Sequence, residues 1–221
     1  MKNTEKDKWD EMNGSQRWQY FKDYYLFITV VVIVLVGIAA FLCWHFWKPK
    51  AEHVLYVAVM DDSLDEEDIK KLQGQLEQLY HVDGKQKKVM IDDNFYTRED
   101  GITKLEVYLR NEQVDVIIAD KEVFQQLAGY GFLQDMNTVM DHEIFETYEE
   151  DLYYAAGYRD TKGVSFEDRE TGQGEVLPYG VDISGSVFQE TGSIQEEPIL
   201  GIAAGAPNLG NGVDFIKFLF E

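Results

Sequence analysis

The chain has 221 residues, with 41 acidic against 20 basic side chains and a formal net charge of −21 at pH 7. Phosphate backbones bind to basic surfaces, so this composition excludes nucleic acid as an expected partner. Cys43 is the only cysteine, which excludes an internal disulfide framework and a metal site built from several thiolates.

The first feature along the chain is an apolar segment, from Tyr24 to Trp47, that contains no Asp, Glu, Lys or Arg. Its middle, residues 26–43, is almost entirely Val, Ile, Leu, Phe and Ala. About 20 such residues at 1.5 Å rise cross a bilayer core, so the segment predicts a transmembrane helix in the lipid bilayer. The predicted organisation is a tail over residues 1–23, this helix over 24–47, a tether over 48–53 and a folded domain over 54–221.

The charges on the two sides of this helix predict its orientation. Five basic residues precede it, whereas only Lys48 and Lys50 follow it before Lys70. Positive charge beside a membrane segment favours the cytoplasmic side, and the aromatic side chains at both ends suit the headgroup level. We therefore expect a single-pass protein of the cell membrane, with its N-terminus in the cytoplasm and its domain extracytoplasmic.

The alternatives to a transmembrane anchor are a cleaved signal peptide and a lipid anchor on Cys43. A signal peptide has an apolar core of about 7–15 residues followed by small residues, whereas this run is longer and bulky side chains follow it. A lipid-anchored cysteine follows a small residue, and Leu42 precedes Cys43. Both comparisons favour an uncleaved anchor.

The negative charge lies entirely in the domain. Residues 1–47 hold five basic and five acidic side chains, so the whole excess of carboxylates falls in residues 48–221. One interpretation is a repulsive, solvated surface, which the composition favours. The other is a preference for cationic ligands or metal ions.

Three apolar runs in the first half of the domain predict strands that are buried on both faces. They are residues 54–60 (VLYVAVM), 88–91 (KVMI) and 114–119 (VDVIIA). Helical patterns separate them. A capping box at Ser63 and Glu66 predicts a helix that ends near Tyr80, residues 98–112 form the next, and Asp120 caps a third. This alternation predicts an α/β fold with a parallel or mixed sheet.

The second half of the domain is less regular. Residues 141–158 are expected to be helical, residues 159–175 to form an exposed loop or hairpin, and residues 176–187 a strand or turn. Residues 198–204 (PILGIAA) predict another buried strand, and residues 213–220 a closing helix packed into the core.

Two segments resemble a known family. Residues 105–136 (LEVYLRNEQVDVIIADKEVFQQLAGYGFLQDM) and residues 198–221 (PILGIAAGAPNLGNGVDFIKFLFE) are similar to the first lobe of type 2 extracellular, periplasmic-type solute-binding proteins. The resemblance implies an α/β lobe beside a ligand cleft. Such proteins have two lobes, and residues 135–194 are too few for a second one, so the resemblance implies a reduced, membrane-anchored form.

Acidic residues follow each of the first three predicted strands. They are Asp61 and Asp62 after the first, Asp92 and Asp93 after the second, and Asp120 after the third. Ligands of open parallel sheets bind beyond the carboxyl ends of the strands, so these residues are candidates for binding a small solute or a cation, with Ca²⁺ at Asp61, Asp92 and Asp120. The alternative is that they cap the helices that follow, because Asp is common in such turns. No metal is assigned.

A second candidate site is the segment PYGVDISGS, with Tyr179, Asp182 and Ser184. In the resembled family the segments that cross between lobes line the cleft, where an aromatic ring and hydroxyl groups would hold a small ligand by stacking and hydrogen bonds. The alternative is a turn, because Pro178 and Gly185 lie in the same segment.

The sequence does not predict an enzyme, and no cofactor is expected. Its four histidines are scattered, and it contains no G-x-S-x-G elbow and no G-K-S/T phosphate loop. The predicted function is a membrane-anchored binding module for a small solute or cation, such as an accessory or degenerate solute-binding protein. The alternative is an interaction domain that binds a membrane protein partner and no small molecule.

Overall fold

The computed structural model describes residues 13–47, 51–158 and 172–221. It divides into two compact units, Met1–Lys50 and Ala51–Glu221. Each unit is described by itself.

The first unit contains two helices, α1 (Gly14–Tyr24) and α2 (Leu26–Trp47). Within α2, Leu26–His45 is the one helical segment of the described residues that is long and apolar enough to cross a membrane. None of its most apolar part is buried in the structure. A helix of this length and composition near the N-terminus suits a membrane anchor or a signal sequence. All of α1 except Tyr24 lies in the predicted tail, residues 1–23.

The second unit is an α/β domain with a mixed sheet of six strands, which confirms the predicted class. The strand order is β2-β1-β3-β6-β5-β4. The strands are β1 (Glu52–Met60), β2 (Lys87–Phe95), β3 (Val116–Asp120), β4 (Leu152–Ala156), β5 (Val176–Asp182) and β6 (Pro198–Ile202). β1 pairs in parallel with β2 and β3, whereas β6 is antiparallel to both β3 and β5, and β4 is antiparallel to β5.

Helices and short turns connect these strands. The helices are α3 (Glu66–Leu79), α4 (Gly101–Arg110), α5 (Lys121–Tyr130), α6 (Met136–Val139), α7 (His142–Thr147) and α8 (Leu209–Leu219). Short 3₁₀ turns lie at Thr97–Glu99, Glu149–Asp151 and Val187–Thr191.

Both faces of the sheet are covered, as the continuous apolar runs predict. Leu55, Val57 and Val59 of β1 belong to one core, which includes residues of α3 and α8. The alternating residues of β1, such as Tyr56 and Met60, belong to a second core with residues of α4 and α5. The period of two along a strand therefore distributes one apolar run between two separate cores.

Several predicted boundaries need correction. The cap of α3 is Asp65 and not Ser63, because the Asp65 carboxylate accepts hydrogen bonds from the amides of Glu67 and Asp68. β1 begins at Glu52, within the predicted tether. β2 continues to Phe95, so the polar residues expected after it lie inside the strand.

The expected helix over residues 141–158 is only partly present. α7 ends at Thr147, and Leu152–Ala156 forms the strand β4. Tyrosines at 153 and 154 suit the half-exposed surface of an outer strand, and pairing with β5 decides the conformation here. Of the predicted exposed loop over 159–175, residues 159–171 lie outside the described part of the chain.

Candidate functional site

Asp61 lies directly after β1 and binds the connection that follows β2. Its carboxylate accepts hydrogen bonds from the Thr97 amide at 2.8 Å and from the Thr97 hydroxyl at 2.6 Å. The Asp61 amide in turn donates to the Phe95 carbonyl at 2.9 Å. Both carboxylate oxygens of Asp61 are therefore used to join two loops.

Asp62 is 1 % exposed and fixes the loop that precedes β6. Its Oδ1 accepts from the amides of Ser63 (2.8 Å) and Ile194 (3.0 Å), and its Oδ2 accepts from the Ser193 hydroxyl at 2.5 Å. Beside it, the Gln195 side chain donates to the Met60 carbonyl at 2.7 Å. Three donors satisfy this buried carboxylate, as burial of a charged group requires.

Asp92 and Asp93 are neighbours within β2, and successive side chains of a strand point to opposite faces. Asp92 is buried and accepts from the Tyr56 hydroxyl at 2.6 Å, with the Lys104 ammonium 3.6 Å away. Asp93 instead accepts from the Leu64 amide at 3.0 Å, in the turn before α3. The two carboxylates therefore do not face a common ligand.

The surroundings of Asp92 hold its carboxyl in the charged form. Burial alone would raise its pKa, but hydrogen bonds from Tyr56 and Asn94 and the charge of Lys104 bring the pKa below its usual value. The same contacts act oppositely on the phenol: burial and the Asp92 carboxylate raise the pKa of Tyr56. Lys104 also lies 3.9 Å from the centre of the Phe95 ring, a cation–π contact that attaches α4 to β2.

Asp120 caps α5, since its carboxylate accepts a hydrogen bond from the Val123 amide at 2.9 Å. Among the residues that the structure describes, no three His, Cys, Asp or Glu side chains are grouped closely enough to hold a metal ion. Asp61, Asp92 and Asp120, the residues considered for Ca²⁺, are therefore not brought together. Each accepts hydrogen bonds from the fold instead.

The segment PYGVDISGS is divided between a bulge and a turn. Tyr154 pairs with Pro178 and Tyr153 with Gly180, which leaves Tyr179 as the extra residue of a bulge. Asp182 ends β5, where its carboxylate accepts from the amide of the exposed Ser184 at 2.8 Å. Tyr179 packs against the second core, and its hydroxyl lies so close to Gly157 that a methyl group there would collide with it. Burial raises the pKa of the Tyr179 phenol.

Asp115 is a buried carboxylate that is not among the predicted site residues. It is fully buried, and it accepts from the Tyr56 amide at 2.8 Å and from the Asn208 amide at 2.7 Å. Burial raises its pKa, although these hydrogen bonds oppose the shift. The available signal was a charged residue inside the apolar run VDVIIA, where an unpartnered charge would be very costly.

Comparison with protein-family models, with curated proteins and with solved structures finds no match for this chain. The similarity to solute-binding proteins therefore remains an interpretation of two sequence segments.

Proposed function

We propose that the chain is a single-pass, membrane-anchored protein whose acidic domain acts outside the cytoplasm as an interaction module for another protein at the membrane. The anchor is α2, which has the length and composition of a membrane span. The proposed orientation is supported by the five basic residues before the helix, against only Lys48 and Lys50 soon after it.

One observation carries the choice of a protein partner over a small ligand. The carboxylates at the edge that open α/β sheets use for ligands are engaged inside the fold: Asp61 with Thr97, Asp62 with Ser193 and Ile194. Asp93 and Asp120 bind the turns that begin α3 and α5. A solute at this edge would have to displace bonds that hold the loops together, which lowers its net binding energy.

A solute-binding role is the second candidate, and one observation favours it. The two segments that resemble solute-binding proteins come together in the fold, because β3 and β6 are paired over Val116–Asp120 and Pro198–Ile202. In this version of the proposal, Tyr179, Asp182 and Ser184 would contribute to binding.

The orientation is tested by adding protease to intact cells that carry the full chain with an epitope tag after Glu221. We expect the domain to be digested in intact cells. If the domain survives in intact cells and is digested only in broken ones, the extracytoplasmic part of the proposal is wrong.

The interaction role is tested by native electrophoresis of membranes gently solubilised from the cells that make the protein. We expect the chain to migrate in a complex well above its own 25.5 kDa and to move to lower mass at high salt, because an acidic surface binds through screened charges. If it migrates alone before and after chemical cross-linking, the domain is not an interaction module.

A further inference from the structure

A groove on the first-core face of the domain has the features of a docking surface. It lies between α3, the 3₁₀ turn Val187–Thr191 and the last turn of α8, and its volume is about 230 Å³. The turn is fixed against α3, since the Asp65 amide donates to the Thr191 carbonyl at 2.8 Å. A backbone hydrogen bond therefore fixes two walls of the groove against each other.

The floor of the groove is apolar. Leu72 is 4 % exposed, and Val187 and Phe218 are half-buried beside it. A volume of this size accepts one large apolar side chain, and covering the exposed parts of these residues would be favourable.

The rim of the groove is acidic. It carries the carboxylates of Asp68, Glu190 and Glu221 against the single ammonium of Lys71. The neighbouring cations are engaged elsewhere: Lys70 pairs with Glu66 at 2.6 Å, and Lys217 with Asp214 at 3.0 Å. Within the described part of the chain, the three rim carboxylates have no ion-pair partner.

We propose that this groove binds a basic peptide segment of the partner protein, in which an apolar side chain is flanked by Lys or Arg. This inference rests on the interaction role proposed above and identifies its partner by charge. The rim disfavours anions and anionic lipid, and a second copy of this acidic domain would be repelled. A basic and partly apolar segment complements both the floor and the rim.

The test uses the full chain in nanodiscs of neutral phosphatidylcholine and a fluorescent probe, the peptide Gly-Ser-Lys-Leu-Lys-Phe-Lys-Ser-Gly. Binding is followed by fluorescence anisotropy. We expect the probe to bind, a version with Glu in place of each Lys not to bind, and a version with Ser in place of Leu and Phe to bind at least about fivefold more weakly.

Two substitutions that change the charge of the rim in opposite directions test whether the probe binds in the groove. We expect Glu190→Lys to weaken binding about fivefold and Lys71→Glu to strengthen it about threefold, which is the scale of exposed charge pairs. Glu196→Lys and Lys85→Glu make the same changes in net charge at exposed positions outside the groove. These controls are expected to change affinity less than about twofold. Circular dichroism checks that each variant is folded.

Two results would overturn the proposal and leave the interaction role intact. In one, the controls change affinity as much as the groove variants, so that the probe responds only to overall charge. In the other, the partner complex dissociates in native electrophoresis at the same salt concentration whether or not Glu190→Lys is present. If no complex forms in native electrophoresis but the probe binds at the groove, the interaction role fails while the groove remains a peptide site.

Discussion

At the scale of single residues, Asp115 shows how the fold uses a charge that it has buried. The carboxylate stands just before β3 and joins the backbone of β1 to the residue that precedes α8. Its partners are the backbone amides of Tyr56 and Asn208, together with the Asn208 side-chain amide at 3.3 Å. In the folded domain the carboxylate replaces water as the acceptor for these backbone amides. Both carboxylate oxygens therefore accept hydrogen bonds from the fold itself, which makes the side chain important for stability.

Replacing Asp115 by Ala is expected to destabilise the domain by about 3 kcal/mol, because two buried amides lose their acceptor. Urea unfolding of the full chain in detergent, followed by circular dichroism, measures the loss. Asp214→Ala is the control: it removes an exposed carboxylate paired only with Lys217 and should cost less than about 1 kcal/mol. Equal losses in the two variants would show that the buried bonds contribute little.

The two buried carboxylates with shifted pKa values should give opposite dependences of stability on pH. The folded pKa of Asp115 is raised by burial, so the pH-dependent part of its contribution to stability is present below about pH 4 and is lost as pH rises through the folded pKa. The folded pKa of Asp92 is lowered, so its contribution is present above about pH 4 and is lost as pH falls through the folded pKa.

We therefore expect the stability margin of the wild type over Asp115→Asn to narrow as pH rises from about 3 to 7, and its margin over Asp92→Asn to widen. Urea midpoints at each pH measure both margins. Margins that move in the same direction would contradict the assigned environments.

At the scale of elements, the start of α3 shows whether Ser63 or Asp65 caps the helix. Ser63 and Glu66 have the spacing of a capping box, but the helix begins later and is capped by Asp65. Asp62 and Asp93 hold the preceding turn through the amides of Ser63 and Leu64, which places Ser63 before the cap. The neighbouring Asp62 and the distant Asp93 therefore override the capping motif.

Asp65→Ala is expected to lower the free energy of unfolding by about 1 kcal/mol, because two amides of the first helical turn lose their acceptor. Ser63→Ala is the matched control and should change it by only a few tenths of a kcal/mol. Thermal unfolding followed by circular dichroism compares the two. A larger loss in Ser63→Ala than in Asp65→Ala would show that Ser63 is the cap.

The apolar runs were sufficient to predict β1, β3 and β6, because a strand buried on both faces leaves a continuous signal. β4 was missed, since its tyrosines follow an acidic stretch with helical spacing and the strand depends on pairing with β5. The sequence predicts which acidic residues follow the strands but not which hydrogen bonds they make. Hydrogen bonds to Thr97, Leu64 and the loop before β6 depend on distant loops that no local pattern reveals.

At the scale of the whole molecule, the strong negative charge does not by itself make a cation site. The carboxylates at the sheet edge are separated by strand alternation and by their own hydrogen bonds. What remains is a strongly negative domain, whose field would attract basic molecules in general.

We therefore expect millimolar CaCl₂ to leave the melting temperature of the full chain unchanged relative to MgCl₂, because the acids considered for Ca²⁺ are not grouped. Differential scanning fluorimetry measures the comparison. The double variant Asp61→Asn with Asp92→Asn is the control. A rise in melting temperature that Ca²⁺ alone produces, and that this double variant abolishes, would restore the site.

The position of β6 has a consequence for biosynthesis. β6 is the last strand in the chain, yet it lies between β3 and β5 and joins the two halves of the sheet. Until it leaves the ribosome, both halves have an open edge able to pair with other chains. If the domain is exported, the edges of β3 and β5 are unpaired while the chain crosses the membrane. Chaperones and proteases on the far side would then encounter a sheet without its central strand.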